Sequence, residues 1–447
     1  MDPKARRAAL AAMVSVGAAA WLALAMSSPT LYGWVYDPYY QGVMWSYEHH
    51  GQPPPADACW VCAHPPLFFV AGAPLYALGK LITGHATRAL RMVAVLSLLS
   101  AAAVVLATDR LLRLFRVRDP ERLAGTGLAL AFPCLAFAAG GPEADILLAG
   151  IMAVFLYLLV RYHVRGRRAT WRDAVALGTL GGLGLLTKYS AVPGLLAAGA
   201  VIGVRVVRGP ARWRWVGHGL MVAGVIVAIA GWRYADNLRQ HGTLFHANGS
   251  AREGFLLGRT ENHTRAWEFG TLSLRPVLDL YRPDSGSKML TDYPVYHEVW
   301  STLHAQAWSD MSFFSVRGRY GGGTHQPYRT RRTWLPLVAL VLAAGMYPSA
   351  LAALGLLATL RRRSVWPLAL FAALTWASYL WWVIGQEHWA LKTKYLLFLL
   401  PAYVLFAVWG VRALRSRFPR PLGLAALSAF VAVAVAAEAY VWMFIVT

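Results

Sequence analysis

The chain has 447 residues, of which 57% are apolar and only 14% are charged. About a quarter of the residues in a soluble globular domain are charged, so this composition excludes an ordinary water-soluble protein, and the apolar content also excludes a disordered one. The net charge is +22, but the Lys and Arg residues stand in short clusters between long apolar runs. Polytopic membrane proteins concentrate basic residues in cytoplasmic loops, so we expect a protein of the lipid bilayer without a nucleic-acid partner.

A helix needs about 20 apolar residues to cross a hydrocarbon core about 30 Å thick. We assign eleven apolar segments of the sequence as spans, with bounds uncertain by several residues, and they predict an all-α polytopic membrane protein. In chain order they are Ala8–Met26, Arg88–Leu112, Leu123–Ala139, Pro142–Val160, Asp173–Leu186, Ala191–Val207, Val216–Ala235, Trp334–Leu360, Val365–Ile384, Tyr395–Val411 and Pro421–Val446. The first begins like a signal peptide, but no small-residue cleavage site followed by a soluble domain comes after it, so we expect a retained span.

The segment His64–Gly84 decides the predicted topology. It is apolar enough to be a twelfth span, but then the basic clusters would fall on both faces of the membrane. If it lies in the interface as a juxtamembrane helix, six basic segments share one side, which the positive-inside rule assigns to the cytoplasm. We therefore expect an interfacial helix, a cytoplasmic N-terminus and an exterior C-terminus.

Two long outer loops remain, residues 27–87 and, between the seventh and eighth spans, residues 236–333. Loops of this length usually carry function. We expect a catalytic N-terminal transmembrane module with the first loop (1–235), a large periplasmic loop (236–333) and a C-terminal transmembrane module (334–447). The sequence has no phosphate-binding loop and no Rossmann glycine fingerprint, so an activated substrate has to come from the membrane or the outer side.

Asp37 follows the first span, within Tyr36-Asp37-Pro38-Tyr39-Tyr40. An aspartate before proline is typical of a turn, and interfacial tyrosines are common. The alternative is a carboxylate held at the membrane surface as a general base or metal ligand.

Four short motifs occur in order along the chain. They are Asp37 with His64-Pro65-Pro66-Leu67, then Gly140-Gly141-Pro142-Glu143-Ala144-Asp145, then Gly184-Leu185-Leu186-Thr187-Lys188-Tyr189-Ser190-Ala191, and finally Lys394-Tyr395 with Pro401. In order and spacing they resemble the GT-C glycosyltransferases of the protein mannosyltransferase and aminoarabinose transferase type. The resemblance is good over residues 1–210 and loose at the last spans. It departs from the family where Pro38 replaces the second carboxylate of the usual Asp-Glu pair.

This resemblance implies a GT-C fold and transfer of a sugar, with inversion, from a polyprenyl-phosphate carrier to an acceptor protein, lipid or glycan. It also implies a bacterial inner (plasma) membrane protein whose active site faces the periplasm. Asp37 would accept the proton of the acceptor, or orient the acceptor or a metal ion. A divalent metal as cofactor is left open.

The same resemblance selects further site residues. Asp145 matches the second acidic position of the family and is the second expected catalytic residue. Glu143, beside Pro142, suits helix capping and is a candidate for substrate binding.

The carrier phosphate needs cations in a water-poor site. Lys188 is the first candidate, followed by Lys392, Lys394 and an arginine of the large loop, with snorkelling at a helix end as the alternative for Lys188. The remaining candidates for substrate binding are Tyr40, Tyr189 and His64.

Cys59 and Cys62 form a CxxC motif outside the predicted membrane spans. A disulfide in an oxidising compartment is one interpretation, a metal site with His64 is a second, and a redox role is a third. Cys134 falls within a span and is expected to be inert packing.

Two further segments leave their alternatives open. Trp300–Asp310 places aromatic and hydrogen-bonding groups at roughly helical spacing, which fits sugar binding or packing. Gln386-Glu387-His388-Trp389 fits a wall of the carrier site or an interfacial aromatic belt.

A lipid or solute transporter is the alternative function, because it would have the same spans and basic loops. Transporters usually show internal repeats and charged or broken helices near the midplane. This sequence shows no such duplication, and its acids and lysines gather toward one face, which favours an enzyme. An inactive scaffold of the same fold is the third interpretation.

Overall fold

A computed structural model of the chain describes residues 3–27, 37–59, 61–209, 211–246, 269–270, 273, 299–309, 335–385 and 392–446. Within these ranges the chain forms fifteen α-helices and no strand. They are α1 (Pro3–Ser27), α2 (Asp37–Glu48), α3 (Leu67–Thr83), α4 (Ala86–Leu114), α5 (Asp119–Leu130), α6 (Pro133–Ala139), α7 (Ala144–Arg165), α8 (Trp171–Thr187), α9 (Val192–Arg208), α10 (Arg212–His241), α11 (Val299–Trp308), α12 (Leu335–Thr359), α13 (Trp366–Gly385), α14 (Leu400–Arg417) and α15 (Arg420–Val446). Short 3₁₀ helices cover Gly166–Arg168, Tyr189–Ala191 and Thr393–Leu399.

Eight of the described helical segments are long and apolar enough to cross a bilayer, and a ninth is added if the bent pair α5 and α6 counts as one. The protein is therefore a multi-pass membrane protein, but the predicted count of eleven is not confirmed. The predicted span Leu123–Ala139 is divided between α5 and α6, which meet at 50°. Pro133 stands at the start of α6, where a proline lacks the N–H that would continue the preceding helix. Helix α8, with 17 residues, is shorter than a typical span.

Two helices organise the packing. α7 contacts α4, α8, α13 and the 3₁₀ segment Thr393–Leu399, while α14 contacts α12, α4, α5 and α15. The buried face of α7 is almost entirely apolar, apart from Glu143 and Asp145 at its start. This arrangement brings the start of α7, the end of α8 and the segment before α14 to one end of the bundle.

The first outer loop carries two helices, α2 and α3, which pack on each other, and α3 packs on α4. Helix α3 covers most of the predicted juxtamembrane segment His64–Gly84. The placement of α3 in the interface and the orientation of the termini stay predictions. So do the domain boundaries, because most of the predicted loop 236–333 lies outside the described residues.

Candidate functional site

Two acidic and two basic side chains meet where α7, α8 and the segment before α14 converge. Lys188 is hydrogen-bonded to Asp145 through Nζ and Oδ1. Lys394 Nζ lies 3.0 Å from Glu143 Oε1 and 3.7 Å from Asp145 Oδ2. The side chains of Glu143, Asp145 and Lys394 are at most 4% exposed, whereas that of Lys188 is 13% exposed. We call these four residues the charged cluster.

The start of α7 places both acids. Glu143 has extended backbone at the N-cap position of the helix, and Asp145 lies in the first turn. Carboxylates are stabilised there by the partial positive charge of the helix N-terminus. The backbone N–H of Glu143 also donates to Ser97 Oγ of α4 at 3.4 Å, which holds this corner against the neighbouring helix.

The end of α8 places Lys188. Its backbone is extended, and its N–H donates to Gly184 O at 2.9 Å as the last bond of the helix. A short 3₁₀ turn follows, and α9 then begins at Val192 with Pro193 in its first turn. Lys188 therefore stands at the tip of a helix hairpin, with its ammonium directed at the first turn of α7.

The segment before α14 places the other lysines. Thr393 fixes it, because its N–H donates to Gln306 Oε1 at 3.0 Å and its hydroxyl donates to Leu303 O of α11 at 2.6 Å. The N–H of Lys392 donates to the hydroxyl of Tyr379 at 2.9 Å. Burial, followed by the nearby positive charge of Lys394, lowers the pKa of Lys392 to about 8.

Two tyrosines complete the cluster. Tyr39 in the first turn of α2 donates its hydroxyl to Asp145 Oδ2 at 3.5 Å, and the ring of Tyr395 lies 4.4 Å from the Lys188 ammonium. Burial and the charge of Asp145 raise the pKa of Tyr39 well above its usual value, so its hydroxyl stays a donor. Sequence reasoning singled out neither ring for the site.

Asp37 is the first residue of α2, two positions before Tyr39, and its side chain lies outside the described residues. Tyr40, which was predicted to bind substrate, is 5% exposed. In a helix consecutive side chains point about 100° apart, so Tyr39 and Tyr40 do not share one face. The role of Tyr40 stays a prediction.

His64 lies beside the cluster. Its ring centroid is 6.4 Å from that of Tyr39, and burial together with the charge of Lys188 lowers its pKa to about 3, so the imidazole is neutral. A neutral imidazole can still donate one hydrogen bond to a phosphate. His64 can therefore still make the predicted contact with a phosphate, but it adds no positive charge to the site.

Tyr189 connects three parts of the chain. Its hydroxyl is 3.3 Å from Ala63 O and 3.1 Å from His246 O, and it accepts from Asn237 Nδ2 at 3.3 Å. These contacts tie the first outer loop to the α8–α9 turn and to the end of α10. Its predicted contact with substrate stays a prediction.

Cys59 and Cys62 are joined by a disulfide, which agrees with the first of the three interpretations of the CxxC motif. Within the part of the chain that the structure describes, no group of three His, Cys, Asp or Glu side chains could hold a metal ion. Cys134 is a free, buried cysteine, as expected for packing.

Several predicted residues cannot be placed. Asp310, the segment Gln386–Trp389 and nearly all of residues 247–298 lie outside the described residues. Helix α11 confirms helical structure for Val299–Trp308, and its Thr302 and Gln306 are buried. α11 therefore supports the lysine segment through packing and hydrogen bonds.

Chemically, the cluster is a set of positioned donors for an anion. Each lysine ammonium has three N–H groups, and the carboxylates need only some of them. Because Lys188 is partly exposed while its carboxylate partner is buried, its free donors can reach a group that enters from outside. Together with Lys392, the site has three lysines and two carboxylates, which leaves one positive charge for an incoming anion where little water screens it.

Comparison with protein-family models gave no match, and comparison with curated protein sequences gave none. Among solved structures, an oligosaccharyltransferase from Archaeoglobus fulgidus, tethered to an acceptor peptide with the NVT sequon, is 12% identical with a TM-score of 0.50 over 96% of this chain and 55% of its own. ArnT from Cupriavidus metallidurans is 18% identical in the apo state, with a TM-score of 0.39 over 90% of this chain and 76% of ArnT. With undecaprenyl phosphate bound it is 16% identical, with a TM-score of 0.41 over 92% and 80%. The likeness to the oligosaccharyltransferase, about half of whose length the chain spans, confirms the predicted GT-C fold class and describes the fold alone.

Proposed function

We propose that this protein is an integral membrane glycosyltransferase that moves a sugar from a polyprenyl-phosphate carrier to an acceptor on the outer side of the membrane. The single observation that carries the proposal is the charged cluster at one end of the bundle. Its two lysines are held by buried carboxylates, beside the helix that begins with Asp37. The order of the four sequence motifs adds independent support.

The carrier phosphate is the leaving group. As the bond between the anomeric carbon and the phosphate oxygen breaks, negative charge grows on the phosphate. Lys188, Lys392 and Lys394 stabilise that charge, and a water-poor site makes this stabilisation strong. Asp145 and Glu143 act as positioning residues, because they hold the two lysines of the charged cluster at fixed places.

The acceptor needs a base. Its hydroxyl oxygen attacks the anomeric carbon, the bond from that carbon to the phosphate oxygen breaks with its electron pair left on the oxygen, and the acceptor proton passes to the carboxylate of Asp37. Asp37 starts the helix in which Tyr39, two residues later, reaches Asp145. Two residues of helix rise only about 3 Å, so the backbone at position 37 lies close to that of Tyr39, and the base role of Asp37 rests on the resemblance of its motif.

The acceptor can be a protein, a lipid or a glycan. The solved oligosaccharyltransferase of the same fold carries an acceptor peptide, so the fold is able to present a peptide acceptor. The fold does not establish activity, and the sugar has to be found by experiment.

The test uses the purified full chain in nanodiscs, with undecaprenyl-phosphate-linked mannose, glucose and aminoarabinose carrying tritium in the sugar. Release of undecaprenyl phosphate and transfer of label to membrane acceptors of the expression host are measured. We expect one donor to be used by the wild type and by Asp57→Asn, an exposed aspartate of the same loop. Asp37→Asn is expected to lose activity by about 100-fold or more.

Equal turnover of Asp37→Asn and wild type removes the base assignment. Failure with every donor, together with undecaprenyl-phosphate-dependent flux of lipid or solute in vesicles, establishes the transporter instead. Failure of undecaprenyl phosphate to bind the protein at all overturns the whole proposal.

A further inference from the structure

A second group of charged residues lies at the opposite end of α14 from the charged cluster. It lines a cavity of about 630 Å³ between the α4–α5 connection and the α14–α15 connection. The lining residues are Arg116, Arg118, Glu121, Arg412, Arg415, Ser416, Arg420, Gly423 and Leu424. Lys394 precedes α14 and Arg412 lies near its end, so about 18 residues of helix, or ~27 Å, separate the two sites. The cavity is therefore distinct from the proposed active site.

The cavity has a surplus of positive charge. Its one acid, Glu121, is 3% exposed and is held by Arg412 at 2.6 Å and by Arg415 at 2.8 Å. Arg116, Arg118 and Arg420 also line the cavity and form no ion pair within the part of the chain that the structure describes. Five guanidinium groups thus face one carboxylate, which leaves donors for an anion.

Two arginines next to the cavity are paired with acids. Arg113 pairs with Asp109 at 2.8 Å, and Arg122 pairs with Asp109 at 3.2 Å and with Asp119 at 3.1 Å. The arginines of the cavity therefore differ from these neighbours in having too few acids to pair with. Forked guanidinium donors match the oxygens of a phosphate group.

One side of the cavity is apolar and belongs to a predicted span. Leu424 lines it, and Leu422 and Leu424 of α15 are 57% and 56% exposed. Exposed leucines on a helix long and apolar enough to cross a bilayer face lipid chains. An apolar wall does not contribute to the binding of a free inorganic anion. A phospholipid, by contrast, can place its phosphate among the arginines and its acyl chains against the leucines.

We propose that this cavity binds the phosphate headgroup of an anionic phospholipid. The guanidinium groups of Arg116, Arg118 and Arg420 contact the phosphate, while Arg412 and Arg415 divide their donors between Glu121 and the ligand. The acyl chains lie along α15 beside Leu424. Basic pockets between transmembrane helices recognise anionic headgroups in this way.

Arg116 can be replaced by glycine without straining the backbone. Its φ of 53° lies in the left-handed region, which glycine adopts at no steric cost. Arg116→Gly therefore removes the charge while relieving backbone strain. A loss of lipid binding in this variant cannot be ascribed to a backbone that the substitution has strained.

The test measures binding of phosphatidylglycerol to the purified full chain in a neutral detergent by native mass spectrometry, with phosphatidylcholine as the reference lipid. We expect saturable binding of one phosphatidylglycerol to the wild type. The variant Arg116→Gly/Arg118→Gln/Arg420→Gln should bind it on the order of 100-fold more weakly, and Arg116→Gly alone about fivefold more weakly. The control Arg167→Gln/Arg168→Gln/Arg172→Gln removes the same charge from exposed arginines outside the cavity and should bind within about twofold of wild type.

An equal loss in the control variant, or no loss in the cavity variant, overturns the proposal. If inorganic phosphate displaces phosphatidylglycerol at equal concentration, a free anion is the ligand and the lipid assignment is wrong. If the triple variant does not fold, Arg116→Gly alone decides the outcome.

Discussion

The ammonium of Lys188 lies 4.4 Å from the centroid of the Tyr395 ring while it is hydrogen-bonded to Asp145. A cation over an aromatic face gains about 0.5–2 kcal/mol, more when water is excluded. The ring and the carboxylate together fix the ammonium from two directions. From the sequence, Tyr395 was named only as part of the Lys394-Tyr395 motif. Its contact with Lys188 shows that its ring belongs to the site.

We expect Tyr395→Phe to bind undecaprenyl phosphate like the wild type, because the ring is kept. Tyr395→Leu should bind it roughly 3- to 30-fold more weakly, because the ammonium loses the ring and becomes less ordered. Binding is measured by titration in nanodiscs. An equal loss in both variants would assign the effect to the hydroxyl and contradict the cation–π contact.

Lys394 and Glu143 form a buried pair, which makes removal of one partner costly. Lys394→Met leaves the carboxylate of Glu143 without its ammonium and is expected to cost about 3–5 kcal/mol of stability. Glu143→Gln/Lys394→Met removes both charges and should be distinctly more stable than Lys394→Met. Thermal unfolding in detergent compares them, with Lys80→Met, an exposed lysine, as the control. A double variant as unstable as the single one would show that the pair is not coupled.

The sequence predicted which residues belong to the charged cluster, but it did not predict which of them contact each other. Lys188 and Asp145 were each identified from their motifs, but their contact requires α7 and α8 to pack with the start of one beside the end of the other. No local pattern specifies that packing. The position of the predicted base, Asp37, relative to Lys188 stays untested, because its side chain is outside the described residues.

Helix geometry explains why only one of the neighbouring residues Tyr39 and Tyr40 can face the charged cluster. Asp-Pro was interpreted as a turn or an acidic site, and in the structure it opens α2. Once a helix starts at Asp37, Tyr39 and Tyr40 face different directions, and only the tertiary contact with Asp145 shows which one faces the cluster. The division of Leu123–Ala139, by contrast, had a visible signal in Pro133, since proline inside an apolar run predicts a break.

Lys392 makes phosphate binding depend on pH. Burial and Lys394 lower its pKa to about 8, Lys188 lowers it further, and Asp145 and Glu143 oppose the shift. As the pH rises through 8, the ammonium loses its proton, so affinity for undecaprenyl phosphate should fall roughly tenfold between pH 7.5 and 9.5. Lys392→Met is expected to lack this part of the pH dependence in the same titration.

The stability of the ligand-free protein should change in the opposite direction. Between pH 8 and the ordinary lysine pKa, the unfolded chain binds the proton of Lys392 and the folded chain does not, so the free energy of unfolding rises with pH. The difference between wild type and Lys392→Met isolates this contribution from other titrating groups. If affinity and stability fall together in this window, Lys392 is not the titrating residue.

The disulfide between Cys59 and Cys62 closes a very short loop, so it should stabilise the protein less than a disulfide across a long loop would. For a loop of this size the chain-entropy estimate is about 2 kcal/mol. Cys59→Ser/Cys62→Ser is therefore expected to fold, with an unfolding temperature equal to that of the wild type after reduction. Thiol titration under denaturing conditions should find one free cysteine, Cys134, in the unreduced wild type. Three free thiols there would contradict the disulfide.

Gly355 of α12 and Gly410 of α14 allow these two helices to approach within backbone contact. A Cβ at position 355 would collide with Phe406 O and lie 2.7 Å from Gly410 N, and a Cβ at position 410 would collide with Leu351 O. Because backbone atoms cannot move aside as side chains do, Gly355→Ala must separate the helices and should cost about 2 kcal/mol or more. α14 follows directly from the segment that carries Lys394, so the same shift should weaken binding of undecaprenyl phosphate. Gly224→Ala in α10, where a Cβ meets nothing within 4 Å, is the matched control, and it should leave binding unchanged and keep or raise the unfolding temperature, because alanine favours a helix over glycine. A Gly355→Ala protein that unfolds and binds like this control would mean that α12 and α14 are not in backbone contact.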